Sequence, residues 1–107
     1  MGESDVAGPL AKVPTLALTC RGAPSQWEGW LEDGRMFYVR VRHGEPEVRL
    51  SAEPTSDVMD AVHAAPVLAL DLSDPWVSVM EEKAMRAVTA SVLDFSQVGP
   101  ATVGPNI

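Results

Sequence analysis

Apolar and polar residues alternate with period two through Phe37, Val39 and Val41 and again through Val48 and Leu50, a pattern that predicts half-buried strands. Aromatic and β-branched residues recur from Gln26 to Ser51, as pleated surfaces prefer. This stretch reads as three antiparallel strands around which the rest of the chain is organised. Between the first two lies Glu32-Asp33-Gly34. A one-residue slip in register sends every side chain to the other face, so parity decides the loop length. A two-residue Asp33-Gly34 loop would set Glu28 opposite Val39 and Trp27 opposite Arg40, which mixes the faces. A three-residue loop, a type I turn at Glu32 and Asp33 followed by Gly34 with positive φ, sets Gly29 opposite Phe37 and Trp27 opposite Val39. The three-residue loop is therefore predicted. For the second hairpin, pairing Val41 with Val48 and Val39 with Leu50 keeps the apolar set together. It leaves His43-Gly44-Glu45-Pro46 as the turn and keeps Pro46, which has no N–H to donate, out of the ladder.

These registers predict a buried face of Trp27, Leu31, Phe37, Val39, Val41, Val48 and Leu50. The opposite face carries Gln26, Glu28, Trp30, Met36, Tyr38, Arg40, Arg42, Glu47 and Arg49. On that face Arg40 is expected directly across from Arg49, and like charges facing each other across strands are destabilising.

The flanking segments read as follows. Thr15–Cys20 is an apolar run with β-branched character and a first strand. Ser56 can cap a short helix with Val58, Met59 and Val62 as its apolar face, ended by Pro66. Val67–Leu72 is a bounded apolar run that suits a further strand. Ser73-Asp74-Pro75 is a strong helix start, with Asp74 as N-cap and proline at the first helical position. A helix from there to about Asp94 would carry Trp76, Val77, Met80, Ala84, Ala87, Val88, Ser91 and Phe95 on one side, with Ser78, Glu82, Arg86 and Thr89 opposite. It would cover the sheet and bury Trp76 against Phe37 and Val39, with Glu82 and Arg86 as an i,i+4 pair. The alternation of Thr89, Ser91 and Leu93 also fits a strand, which leaves residues 88–95 open between the two. The predicted fold class is α+β, a small mostly antiparallel sheet of four to five strands with one long C-terminal helix packed on one face. Residues 1–14 read as a flexible arm, 15–95 as a single domain and 96–107 as a flexible tail with two Gly-Pro steps and no charge.

The chain has 107 residues and is 46% hydrophobic, which suits one soluble globular domain. Apolar runs fall well short of the roughly 20 residues of a membrane span. The N-terminus is acidic and lacks the apolar region of a signal peptide, and Val6 stands where myristoylation wants Ser or Thr; a cytoplasmic protein with no membrane partner is expected. The net charge of -7 argues against binding nucleic acid by direct phosphate contact. The single cysteine, Cys20, admits no internal disulfide. His43 and His63 lack partners at metal-ligand spacing, and no Gly-rich elbow surrounds Cys20, so no metal, cofactor or catalytic residue is assigned.

The face bearing Trp30, Tyr38, Arg40, Arg42 and Arg49 is the candidate partner-binding site, because aromatics and arginines are enriched at interaction hot spots. Its partner would be another protein, either a second copy or a protein of the host cell. The plainer alternative is a solvated sheet face on which Glu28 and Glu47 neutralise the arginines. Replacing Arg49 with Thr separates the two: stability holds if the arginines serve a partner and falls if they are structural. A non-catalytic interaction protein is the expected function, with an acidic inhibitor that imitates nucleic acid, or a small-anion-binding domain, as alternatives. The decoy would need its 15 carboxylates on one surface, and they are spread along the chain.

The segment Trp27-x-Gly29 followed by Asp33-Gly34-Arg35-x-Phe37-Tyr38-x-Arg40-x-Arg42-x-Gly44 resembles a pattern in small, uncharacterised proteins of actinobacteria and their phages. The resemblance implies such a host and a phage ancestry. It implies no activity and no catalytic or binding residue.

Overall fold

The computed structural model describes residues 10–20 and 24–103. In chain order its elements are β1 (Ala11–Lys12), β2 (Ala17–Cys20), β3 (Ser25–Trp30), β4 (Met36–Arg42), β5 (Glu45–Leu50), α1 (Met59–Val62), β6 (Pro66–Ala69), α2 (Glu82–Val88), β7 (Leu93–Asp94) and β8 (Thr102–Val103). Six strands form one mixed sheet in the order β6-β5-β4-β3-β2-β8, and β1 pairs separately with β7. The β1–β7 and β2–β8 pairs are parallel.

The first hairpin forms as parity requires. Gly29 lies opposite Phe37 and Trp27 opposite Val39, Gly34 has φ 90°, and Gly34 N donates to Leu31 O at 3.0 Å across the turn. A side chain at Gly29 would collide with the Thr15 carbonyl oxygen and come within 2.9 Å of the Phe37 ring, so this position is kept bare by the approach of the chain entering β2.

The second hairpin corrects the predicted register by two residues. Val39 pairs with Val48, Phe37 with Leu50, Val41 with Pro46 and Arg42 with Glu45. The turn is only His43-Gly44, with φ 55° and 73°, the positive pair that matches the twist of tight hairpins. A shift of two preserves parity, so both faces keep their residues. It also replaces the expected Arg40–Arg49 opposition with Arg40 across from Glu47 and Tyr38 across from Arg49, turning a repulsive pair into an attractive one. Pro46 is accommodated inside β5 because its carbonyl accepts from Leu70 N at 2.9 Å. Its nitrogen faces the same way, so the missing donor is lost toward β6 and not toward β4.

Six of the seven residues expected on the buried face, Trp27, Leu31, Phe37, Val39, Val41 and Val48, are buried, joined by Val13, Leu16, Met85 and Leu93. Leu50 is half-buried against them. A smaller apolar cluster lies on the other face, where Met36 and Tyr38 are covered by Ala61 with Val58 and Val62 of the α1 turn. The α1 start is held by Asp57 Oδ1, which accepts from Met59 N at 2.9 Å, in place of the expected Ser56 cap.

The long C-terminal helix is absent. The helices span four and seven residues, and the chain from Val77 to Met80 has no regular secondary structure. Asp74 Oδ1 does accept from Trp76 N at 3.1 Å, but the turn is not continued. Gly44 N donates to Val77 O at 2.7 Å and Ser25 N to Ser78 O at 2.9 Å, and the β-branched Val77 and Val79 disfavour a helix here. Helix starts only at Glu82 and buries Met85 and Thr89, while Ala84 and Ala87 are exposed. Thr89, expected on the polar side, is fully buried with its hydroxyl donating to Met85 O at 2.8 Å. The segment left open between helix and strand divides, with Leu93–Asp94 as β7.

Parts of the expected arm and tail carry structure. Val13 is fully buried, and its N donates to Asp94 O at 3.0 Å; Thr102 N donates to Leu16 O at 2.9 Å. The Glu82–Arg86 pair forms at 2.8 Å and reaches further than predicted. Arg86 donates to the carbonyls of Val98 and Gly99 and lies 5.2 Å from the Phe95 ring centroid, and Glu82 Oε1 accepts from Ala101 N. The rest of the arm, residues 1–9, and of the tail, 104–107, lies outside the described residues.

Candidate functional site

The five residues singled out from the sequence share one sheet face but not one environment. Tyr38 is buried beneath α1, and burial pushes its hydroxyl above the usual tyrosine value, with Arg40 and Arg49 acting against that shift and Glu47 and Glu28 with it. Arg40 Nη2 and Arg49 Nε both donate to Glu47 Oε1, at 3.0 and 2.9 Å, and Arg49 Nη1 donates to the Ala64 carbonyl. Trp30 keeps 44% exposure, with Nε1 donating to Thr55 O at 3.0 Å. Trp30, Tyr38 and Arg49 tie β3–β5 to the 51–64 segment, while Arg40 ties β4 to β5. Beside them a groove of about 600 Å³ runs between Trp30, Met36, Val58, Ala17 and Pro100, with Glu28 as its charged residue.

Arg42 stands apart. It is exposed at the β4–β5 turn, where its Nε donates to His43 Nε2 at 3.1 Å. At this end of the molecule lies the feature that sequence reasoning missed. Trp76 is 91% exposed, the most exposed large apolar side chain among the described residues, and Val79 is 60% exposed.

The loop presenting Trp76 is fastened on both sides. Leu72 N donates to Gly44 O at 2.8 Å before it, and the Gly44–Val77 and Ser25–Ser78 bonds follow it. His43 N donates to Ser78 Oγ at 3.3 Å, and Met80 N donates to Ser25 Oγ at 3.0 Å. Ser73 has φ 62° and reverses the chain between Leu72 and Trp76. Gly44 passes so close beneath the loop that a Cβ there would strike the Asp74 carbonyl. The indole is thus presented on a backbone held at several points, over the turn that carries His43 and Gly44.

A sequence signal that could have found this loop is Val77-Ser78-Val79, a β-branched alternation shortly after Asp74-Pro75. Cys20 is half-buried in β2, and no helix among the described residues is long and apolar enough to cross a membrane. Comparison with protein-family models, with curated proteins and with solved structures finds no match to this chain.

Proposed function

We propose that the protein is a small, non-catalytic interaction domain that binds another protein through the Trp76 loop, together with the Arg42 end of the hairpin to which that loop is bonded. The observation that carries this reading is the 91% exposure of Trp76 on a backbone pinned to the β4–β5 turn and to Ser25 of β3. A tryptophan can bury some 150–250 Å² on contact. Held on a fixed loop it loses little conformational freedom when it does so. Tryptophan and arginine are also the side chains that most often dominate binding energy. Tyr38, Arg40 and Arg49 are engaged within the domain, which moves the contact surface from the face expected from the sequence to its Arg42 end.

The test compares the wild type with Trp76→Ala as bait in lysate of the native host, with retained proteins quantified by mass spectrometry. A protein retained by the wild type and reduced at least about tenfold by the variant, at unchanged melting temperature, supports the reading. The same proteins held equally by both would overturn it.

A further inference from the structure

The β6 edge of the sheet has backbone groups with no partner among the described residues. Leu70 N donates to Pro46 O and Leu72 N to Gly44 O, so residues 70 and 72 turn their backbone groups toward β5. Successive strand residues alternate in this respect. The N–H and C=O of Ala69 and Asp71 therefore point outward. No strand lies beyond β6 among the described residues, and none of these four groups has a partner there. Proteins commonly protect such an edge with lysine, proline or a bulge. Here Pro66 and the irregularity between Val48 and Arg49 protect only the start of β6; Ala69 and Asp71 are exposed.

The side chains along this edge differ between the two faces. Extending the register that pairs Glu47 with Ala69 places Asp71 next to Glu45, and both are exposed. The row across the outer face runs Arg42, Glu45, Asp71, and it ends on two adjacent carboxylates. On the core side Leu68 and Leu70 are half-buried and Leu72 keeps 37% exposure. The whole chain carries a net charge of -7, which disfavours a second copy in this place.

We infer that the β6 edge accepts an extended, cationic segment of a partner protein as an additional strand, with Lys or Arg beside Asp71 and apolar residues beside Leu68 and Leu70. Backbone hydrogen bonds to Ala69 and Asp71 supply the attachment, and the alternating side chains supply the selection. This surface is distinct from the Trp76 indole and does not depend on it, although the loop bearing Trp76 leaves directly from β6.

The test uses a short acetylated and amidated peptide alternating valine and lysine. Binding is read by fluorescence anisotropy, and attachment by slowed hydrogen exchange at the Ala69 and Asp71 amides. The expected result is saturable binding with protection at those two amides. Binding should weaken at least about tenfold for the same peptide N-methylated at alternate residues, and likewise for alternating valine and glutamate. Ala69→Pro removes only an outward N–H, which an edge strand tolerates, and should weaken binding to the same degree. Asp71→Asn keeps the amide oxygen that accepts from Ser73 N and should narrow the preference for lysine over glutamate. Binding absent at about 1 mM peptide, unprotected amides, or equal binding of the N-methylated peptide would overturn the inference. So would a wild-type dimer that Ala69→Pro turns into a monomer, because the edge would then belong to a second copy. The N-methylated peptide tests the wild type directly, so a poorly folding variant leaves the result decisive. Trp76→Ala should bind the peptide unchanged; if that variant loses its protein partner while the edge takes no peptide, the indole reading stands and the edge inference falls.

Discussion

Gly34 and Tyr38 show how far single residues can be argued. With φ at 90° and Pro54 Cβ only 3.3 Å from where a methyl group would stand, Gly34→Ala should destabilise the fold by about 1–2 kcal/mol. That is some 4–8 °C in melting temperature per kcal/mol for a domain of this size, and an unchanged thermal midpoint would contradict the turn geometry. Tyr38 is the single tyrosine, so absorbance near 295 nm follows its ionisation directly. Burial raises its pKa in the folded state above the ordinary 10.0. The stabilisation is therefore complete below that value and is lost as pH rises through the folded pKa. The native titration midpoint should lie above 10, and Tyr38→Phe should reduce the alkaline loss of stability; a midpoint at or below 10 would show the hydroxyl to be solvated. Gly34 was legible in the sequence because parity alone selects the loop. The burial of Tyr38 was not, because α1 covers its face through residues distant in sequence.

At the scale of elements, the β4–β5 hairpin decides what the arginines do. Parity constrains a register only to steps of two, and Pro46 misled the choice between them. A proline is barred from the hairpin ladder only if its nitrogen faces the other strand of that hairpin, and here it faces away from β4, toward Leu70. With Glu47 between Arg40 and Arg49 and Ala64 accepting from Arg49, Arg49→Thr removes hydrogen bonds to a charged group without disturbing strand propensity. It should cost about 1–2 kcal/mol, measured by urea denaturation; equal or higher stability would mean that the cluster contributes nothing. A further element-scale expectation concerns Arg86, whose guanidinium holds the 98–99 carbonyls. Arg86→Ala should speed proteolytic cleavage within 96–101 by about 5–30-fold, the equivalent of 1–2 kcal/mol of local opening, and an unchanged rate would show that β8 holds the segment alone. The helix over 75–94 failed for a related reason: cap chemistry at Asp74 is local and real, but Gly44 and Ser25, far away in sequence, take the Val77 and Ser78 carbonyls as partners. Local signals reported the turn and could not report what lay across from it.

The whole molecule is closed by its least regular parts. The antiparallel core from β3 to β5 consists of near neighbours in sequence, whereas Ala11 pairs with Leu93 and Ala17 with Thr102, across almost the full described chain. Contacts of such separation carry a large loop-closure entropy, which makes them slow to form. The hairpins can assemble early, but β2 keeps an unpaired edge, and Val13 and Leu93 lack their common packing, until residues 93–103 arrive. During synthesis the nascent sheet is thus left open until residues 93–103 have emerged from the ribosome, and this late segment acts as its latch.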